Sequence, residues 1–201
     1  MNCPYDFYTM FCAIIPPYSA TLHSCYFPGD GMIHEAFIAA GSNVGDRWNH
    51  LAQARALLSE MPGVKQLVSS KIYETGPVGG PPQGAYLNTV WQVRTELDPE
   101  TLLRRLFAIE HELGRIRAEK NGPRTLDLDM LDFDGQVLNL AGLTLPHPRM
   151  HERWFVLKPL ADLNPLWRHP GLKKTSAELL VELEKQSPGL AGTVVELEKH
   201  S

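Results

Sequence analysis

Apolar positions between residues 35 and 133 recur with two different periods, and the switches between those periods predict the order of elements. A short apolar run at 35–40 ends on Gly41-Ser42-Asn43 and reads as a strand entering a turn. Asp46 then offers a helix cap, and Leu51, Ala54, Leu58 and Met61 follow at helical spacing until Pro62-Gly63 stops the pattern. Residues 64–73 read as a second strand. The stretch 75–85 is so rich in glycine and proline that it predicts a long loop. Strand character resumes at 86–95, and Asp98-Pro99 supplies an N-cap with proline at the first helical position. Leu102, Leu106, Ile109 and Leu113 form one apolar stripe, with Gly114 placed to end the helix. Residues 115–122 are charged and irregular. They lead into a strand in which Leu126, Leu128 and Met130 alternate with Asp127 and Asp129.

The order strand, helix, strand, strand, helix, strand predicts an α+β fold, a ferredoxin-like βαββαβ sandwich with helices on one face of an antiparallel sheet. Beyond it, 137–145 predicts an extra hairpin, and 150–160 and 175–185 predict C-terminal helices. Residues 1–31 lack sustained periodicity, mix aromatics with Pro16, Pro17 and Pro28, and read as a disordered extension. Regular patterning starts just after Met32, which marks that residue as a candidate natural start. The expected organisation is therefore an extension at 1–31, one domain at 32–186 and a tail at 187–201 that begins Ser187-Pro188-Gly189.

Composition narrows the function classes. A chain of 201 residues with 43% hydrophobic content can bury one substantial core. A net charge of -4 gives no bulk attraction to nucleic acid or to an anionic membrane, so any basic site must be local. No uninterrupted apolar run reaches the roughly 18 residues of a spanning helix. The charge-free stretch 7–22 is broken by Pro16-Pro17 and has no basic residue ahead of it, unlike a secretory signal, and a soluble cytoplasmic protein is expected. Cys3, Cys12 and Cys25 are odd in number and contain no Cys-x-x-Cys, which suits neither a disulfide framework nor a cysteine-built zinc site.

The chemistry concentrates around Asp127 and Asp129, which would share one strand face about 7 Å apart. Magnesium prefers oxygen ligands and usually takes one or two carboxylates, leaving positions for water and substrate phosphate. An isolated Asp-x-Asp is more often a solvated face. Here Arg115, Arg117 and Arg124 flank it, with Lys120 between them, and guanidinium groups bind phosphate through two parallel hydrogen bonds. A cation at a helix C-terminus accounts for Arg115 but not for basic residues that continue to the edge of an acidic pair. Downstream, 145–155 gathers His147, His151, Arg149 and Arg153. Pro148 between the histidines disfavours a helical zinc pair, and phosphate contact by His147 and Arg153 is the better reading. These residues suit either a phosphate-transfer enzyme or a non-catalytic ferredoxin-like module that recognises a nucleotide or a partner protein.

Five motifs separate those classes: Gly41-Ser42-Asn43, Tyr86-Leu87-Asn88, Gly114-Arg115-Ile116-Arg117, Gly122-Pro123-Arg124-Thr125-Leu126-Asp127-Leu128-Asp129 and Leu145-Pro146-His147. In this order and spacing, residues from about 35 to 160 resemble the 6-hydroxymethyl-7,8-dihydropterin pyrophosphokinase family, folate-pathway enzymes that transfer pyrophosphate from ATP to a pterin hydroxymethyl group. The resemblance implies that Asp127 and Asp129 bind two Mg2+ ions between the ATP phosphates and the pterin hydroxyl, with Asp127 helping to orient that hydroxyl. It implies that Arg115 and Arg124 neutralise charge developing at the β-phosphorus. It places Arg117, Thr144, His147 and Arg153 on the nucleotide and Glu110 near it. Tyr86 and Phe155 would sandwich the pterin, whose ring edge would be read by Asn88 and by the backbone from Thr75 to Val78. Stacked faces suit a flat heteroaromatic ring, and its amide-like edge needs partners once water is removed.

The resemblance also implies AMP as product, small-molecule partners only, and a monomer. Loops 75–85 and 115–122 would close over the substrates and suppress ATP hydrolysis. Three positions depart from the family pattern. Lys120 and Asn121 stand where arginine and an aromatic residue are common, Gly142 replaces a basic residue found in some members, and Gly76 stands where proline is frequent.

Overall fold

The computed structural model describes residues 31–115, 122–188 and 195–197. The extension at 1–30 and the loop residues Arg117, Lys120 and Asn121 lie outside the described residues. Strand β1 (His34–Ser42) lies inside the sheet. It pairs antiparallel along its whole length with β4 (Tyr86–Thr95) and, on its other side, with β5 (Asp127–Phe133). Strands β2 (Val64–Ser69) and β3 (Ile72–Thr75) both pair with β4, and β6 (Leu138–Leu140) and β7 (Leu143–Leu145) form a separate hairpin.

The expected strand at 64–73 is therefore two strands. Ser70 breaks it because its hydroxyl accepts from the Val90 N–H at 2.9 Å, and the Ser69 and Ser70 hydroxyls both meet Thr89 Oγ1. Side-chain oxygens have replaced part of the ladder, a competition these residue types favour. The tail also holds more than expected, since β8 (Val195–Leu197) pairs with β3 at the sheet edge.

Period-2 alternation sorts the sheet residues onto two cores. Ala36, Ile38 and Ala40 of β1 face helix α1 (Arg47–Ser59) through Leu51, Ala54 and Leu58, and helix α2 (Pro99–Glu112) through Leu102, Leu106 and Ile109. Both helices start where the sequence predicts: Asp46 accepts from the Asn49 N–H and Asp98 from the Thr101 N–H. On the other face, Phe37, Val90 and Leu131 pack against Val156 and Leu160 of helix α3 (Trp154–Leu163), with Met150 and Trp167 alongside. Helix α4 (Ser176–Gln186) opens on a capping box between Thr175 and Glu178 and packs against α3. Among the described residues no helix is long and apolar enough to cross a membrane.

Helix α3 covers only part of the second face. The strand ends that carry Asp127, Asp129, Gly41 and Asn88 are left open, and this is where the cleft forms. One carboxylate on this side is fully covered. A register shift in the pairing of β1 with β5 brings Asp132 opposite Phe37, where it is 1% exposed and accepts from Gly135 N–H at 3.0 Å and Trp167 Nε1 at 3.3 Å. Burial raises the Asp132 pKa, and its Oδ1 has no hydrogen-bond partner. A carboxyl whose folded pKa lies above its unfolded value loses stabilisation as pH rises through the folded pKa. Asp132→Asn keeps one acceptor oxygen and removes the charge. It should match the parent's thermal stability in acid and exceed it at neutral pH, by about 2–4 °C for each kcal/mol recovered. Thermal unfolding of both proteins across that pH range measures it.

Candidate active site

The site is built outward from the end of α2. Gly114 has φ +77, a conformation that disfavours side chains, and its N–H bonds to the His111 carbonyl. The Arg115 N–H bonds to the Glu110 carbonyl at 3.0 Å, completing a Schellman ending. This turn sends Arg115 back over the last turn of the helix, where its guanidinium pairs with the Glu110 carboxylate. Glu110 is 2% exposed and also accepts from the Leu128 N–H at 2.7 Å, which ties the helix end to the aspartate strand.

From there the charges alternate. Arg115 Nη2 lies 2.7 Å from Asp127 Oδ1, and Arg124 Nη1 lies 2.5 Å from Asp127 Oδ2. Arg153 Nη1 reaches Asp129 Oδ2 only at 3.7 Å, and its guanidinium carbon sits 5.7 Å from the centre of the Phe155 ring. Burial opposes the Arg124 charge, but Asp127 more than offsets it and the Arg124 pKa is raised. Burial, then the charge of Asp127, raises the Asp129 pKa. Burial lowers the His147 pKa, with Asp129 acting against it. The Arg149 N–H donates to His147 Nδ1 at 3.2 Å, so the neutral ring carries its proton on Nε2.

Asp127, Asp129, Arg115, Arg124, His147 and Arg153 line an open cleft of about 330 Å³ together with Tyr86, Phe155, Asn88, Thr75 and Val78. Asn88 Nδ2 donates to Thr75 Oγ1 at 2.9 Å, which fixes the amide. A Cβ on Gly41 would come within 3.1 Å of Asn88 Oδ1, so glycine lets β1 pass close beside that acceptor.

Two predicted nucleotide residues are placed elsewhere. Thr144 lies on the exposed side of the β6–β7 hairpin, facing Asn139, and is not part of the cleft lining. Glu110 lies beneath Arg115 rather than in the lining. Arg117 lies outside the described residues.

The lining also holds polar and aromatic side chains to which the sequence assigns no role, Gln83, Phe107 and Arg149 among them. Asn43, which closes the Gly41-Ser42-Asn43 motif, joins the loop at 75–85 to Arg124. Its Nδ2 donates to Gln83 Oε1 at 2.9 Å and to the Gly84 carbonyl, while its Oδ1 accepts from the Arg124 N–H at 2.7 Å. A polar residue just past a buried strand and between two loops was the available signal. Arg47 reinforces the first loop by bonding Glu74 and the Ala85 carbonyl.

The donor set suits a divalent cation. Asp127 Oδ1 is buried without a well-directed hydrogen bond, and among the described residues the ion pair of Asp129 is the long one to Arg153, so the two carboxylates keep acceptor capacity toward the cleft. Like charge from Asp127 at Asp129 is what a bound dication would relieve.

The sequence model of 7,8-dihydro-6-hydroxymethylpterin-pyrophosphokinase (HPPK) matches residues 37–165. A 2-amino-4-hydroxy-6-hydroxymethyldihydropteridine pyrophosphokinase from Bacillus subtilis (strain 168) is 48% identical over 128 residues, 64% of this chain and 77% of that protein. The protein of the same name from Synechocystis sp. is 41% identical over 151 residues, 75% of this chain and 77% of the relative. In structure, a Plasmodium falciparum HPPK-DHPS crystallised with pteroate superposes with a TM-score of 0.64 at 14% identity, which speaks for the fold alone. That match covers 83% of this chain and 47% of the other, so the chain spans about half the length of the solved structure. The match over more than half of the chain, together with relatives above 40% identity, establishes that the chain belongs to the 7,8-dihydro-6-hydroxymethylpterin-pyrophosphokinase family.

Proposed function

We propose that this chain transfers the terminal pyrophosphate of ATP to the hydroxymethyl group of 6-hydroxymethyl-7,8-dihydropterin in folate biosynthesis, giving AMP and the pterin diphosphate. The observation that carries the reading is the cleft itself, where among the described residues two carboxylates, four arginines, two aromatics and a fixed amide share one lining. The pterin oxygen attacks the β-phosphorus, the bond from that phosphorus to the bridging oxygen of the α-phosphate breaks, and AMP leaves with the electron pair. The hydroxyl proton passes to solvent, and Asp127 orients that hydroxyl.

Asp127 and Asp129 would hold two Mg2+ ions, which when bound neutralise phosphate charge and align the reacting oxygens. In the described state both Asp127 oxygens face arginines. Incoming phosphates give those arginines a second anion, which frees carboxylate lone pairs for metal and moves Arg115 and Arg124 onto the charge that develops in the transition state. Arg153 and His147 position the nucleotide, and Arg117 extends the same contact. Tyr86 and Phe155 stack the pterin, while Asn88 and the backbone from Thr75 to Val78 read its edge. Closure of the loop at 75–85 excludes water. Residues 32–186 form the pyrophosphokinase domain, and the protein acts as a cytoplasmic monomer.

The scissile bond in this reading lies between the α- and β-phosphates. An ATP analogue with methylene at the α,β bridge should bind in a Mg2+-dependent manner, raise the affinity for the pterin and resist turnover. Calorimetric titration of the analogue and then of the pterin measures this. Binding indifferent to Mg2+, or a pterin that binds no better with the analogue present, favours a non-catalytic module.

A further inference from the structure

Arg149 occupies the cleft lining beside His147, Arg153 and Asp129. Its main chain is held on both sides. Its N–H donates to His147 Nδ1 at 3.2 Å, and the following residue, Met150, is fully buried in the second core. The side chain is exposed, and among the described residues its guanidinium has no carboxylate partner. This sets it apart from its neighbours, because Arg115 and Arg124 each contact Asp127 and Arg153 faces Asp129. Its charge is nonetheless felt within the cleft, where it acts on both His147 and Arg153. Four arginines thus face two aspartates, with Glu110 behind them, and the excess cation stands at the cleft mouth.

A held backbone, a free guanidinium and the cationic Arg153 close by are an unfavourable combination that a polyanion turns favourable. We propose that Arg149 is an ATP-binding residue of this chain, contacting the triphosphate from the mouth of the cleft beside His147 and Arg153. The proposal rests on the pyrophosphokinase reading and adds one substrate contact to it. The pterin carries no phosphate, so the contact discriminates between the two substrates: Arg149 acts on ATP and not on the acceptor.

Steady-state kinetics of Arg149→Gln and Arg149→Lys test it, with Arg94→Gln as a control that removes the same charge from an exposed position on β4 outside the cleft. Arg149→Gln should raise KM for ATP about tenfold, the size expected for one charge-assisted hydrogen bond, and move KM for the pterin little. The loss should shrink as ionic strength rises, and Arg149→Lys should recover part of it. Arg94→Gln should behave like the parent. Equal KM for ATP in the parent and in Arg149→Gln overturns the proposal, as does a loss that falls on the pterin or is matched by Arg94→Gln. A parent protein that fails to turn over ATP with the pterin instead defeats the pyrophosphokinase reading, which separates the two failures.

Discussion

Asp129→Asn should lower pterin-dependent turnover by about 10²–10³-fold or more while leaving the fold at least as stable as the parent. The two effects have opposite signs for one reason. Burial and Asp127 raise the Asp129 pKa, so its ionised form is disfavoured in the folded protein and the neutral amide is not. The stability gain should therefore be absent in acid and present at neutral pH. The carboxylate is kept at that cost because a neutral side chain cannot offer the same charge to a cation between it and a triphosphate. Asp127→Asn should lose activity to a similar degree but gain no stability, since Asp127 contacts Arg115 at 2.7 Å and Arg124 at 2.5 Å. Product formation and thermal unfolding of the two variants check both halves. Near-parental turnover in either variant contradicts the metal assignment.

The second large effect is expected at Glu110. Removing one partner of a buried ion pair leaves the other charge uncompensated, and Glu110→Ala should destabilise the fold by about 3–5 kcal/mol. Arg115 is 9% exposed and would lose the carboxylate that aims it at Asp127. The milder Glu110→Gln keeps an acceptor for the Leu128 N–H and gives a folded protein in which to read catalysis. Because Glu110 sits beneath Arg115 and not in the cleft lining, the defect should appear in kcat more than in KM for ATP. It should also be non-additive with Arg115→Lys. A pure rise in KM for ATP would indicate that Glu110 contacts the nucleotide directly.

These two residues show what was legible in the sequence. The Asp127 and Asp129 pair could be read because strand alternation places every second residue on one face, and alternation needs no tertiary information. The flanking arginines followed from chain adjacency. The place of Glu110 did not follow, since being buried under Arg115 depends on the turn that Gly114 makes rather than on helical spacing. Thr144 illustrates the same limit. It is close in sequence to His147, but the short β6–β7 hairpin turns it toward Asn139.

The fold divided along similar lines. Both helix starts were visible because a capping aspartate acts locally. The break at Ser70 was not, because a serine hydroxyl is compatible with a strand until a partner such as the Val90 N–H is known. Nor does a periodic pattern name the surface that its apolar side will meet. The stripe on α3 predicts a helix, but only the assembled sheet shows that α3 packs on the face opposite α1 and α2 and stops short of Gly41 and Asp127. That partial cover creates the cleft, and it is a property of packing rather than of any one segment.

Pyrophosphate transfer is the central claim, and a single reaction with ATP, Mg2+ and 6-hydroxymethyl-7,8-dihydropterin followed by phosphorus NMR tests it most directly. The account predicts AMP and a pterin diphosphate ester rising together in equal amounts, with neither appearing when the pterin or Mg2+ is omitted. ADP with a pterin monophosphate, or ATP consumption that ignores the pterin, would contradict it.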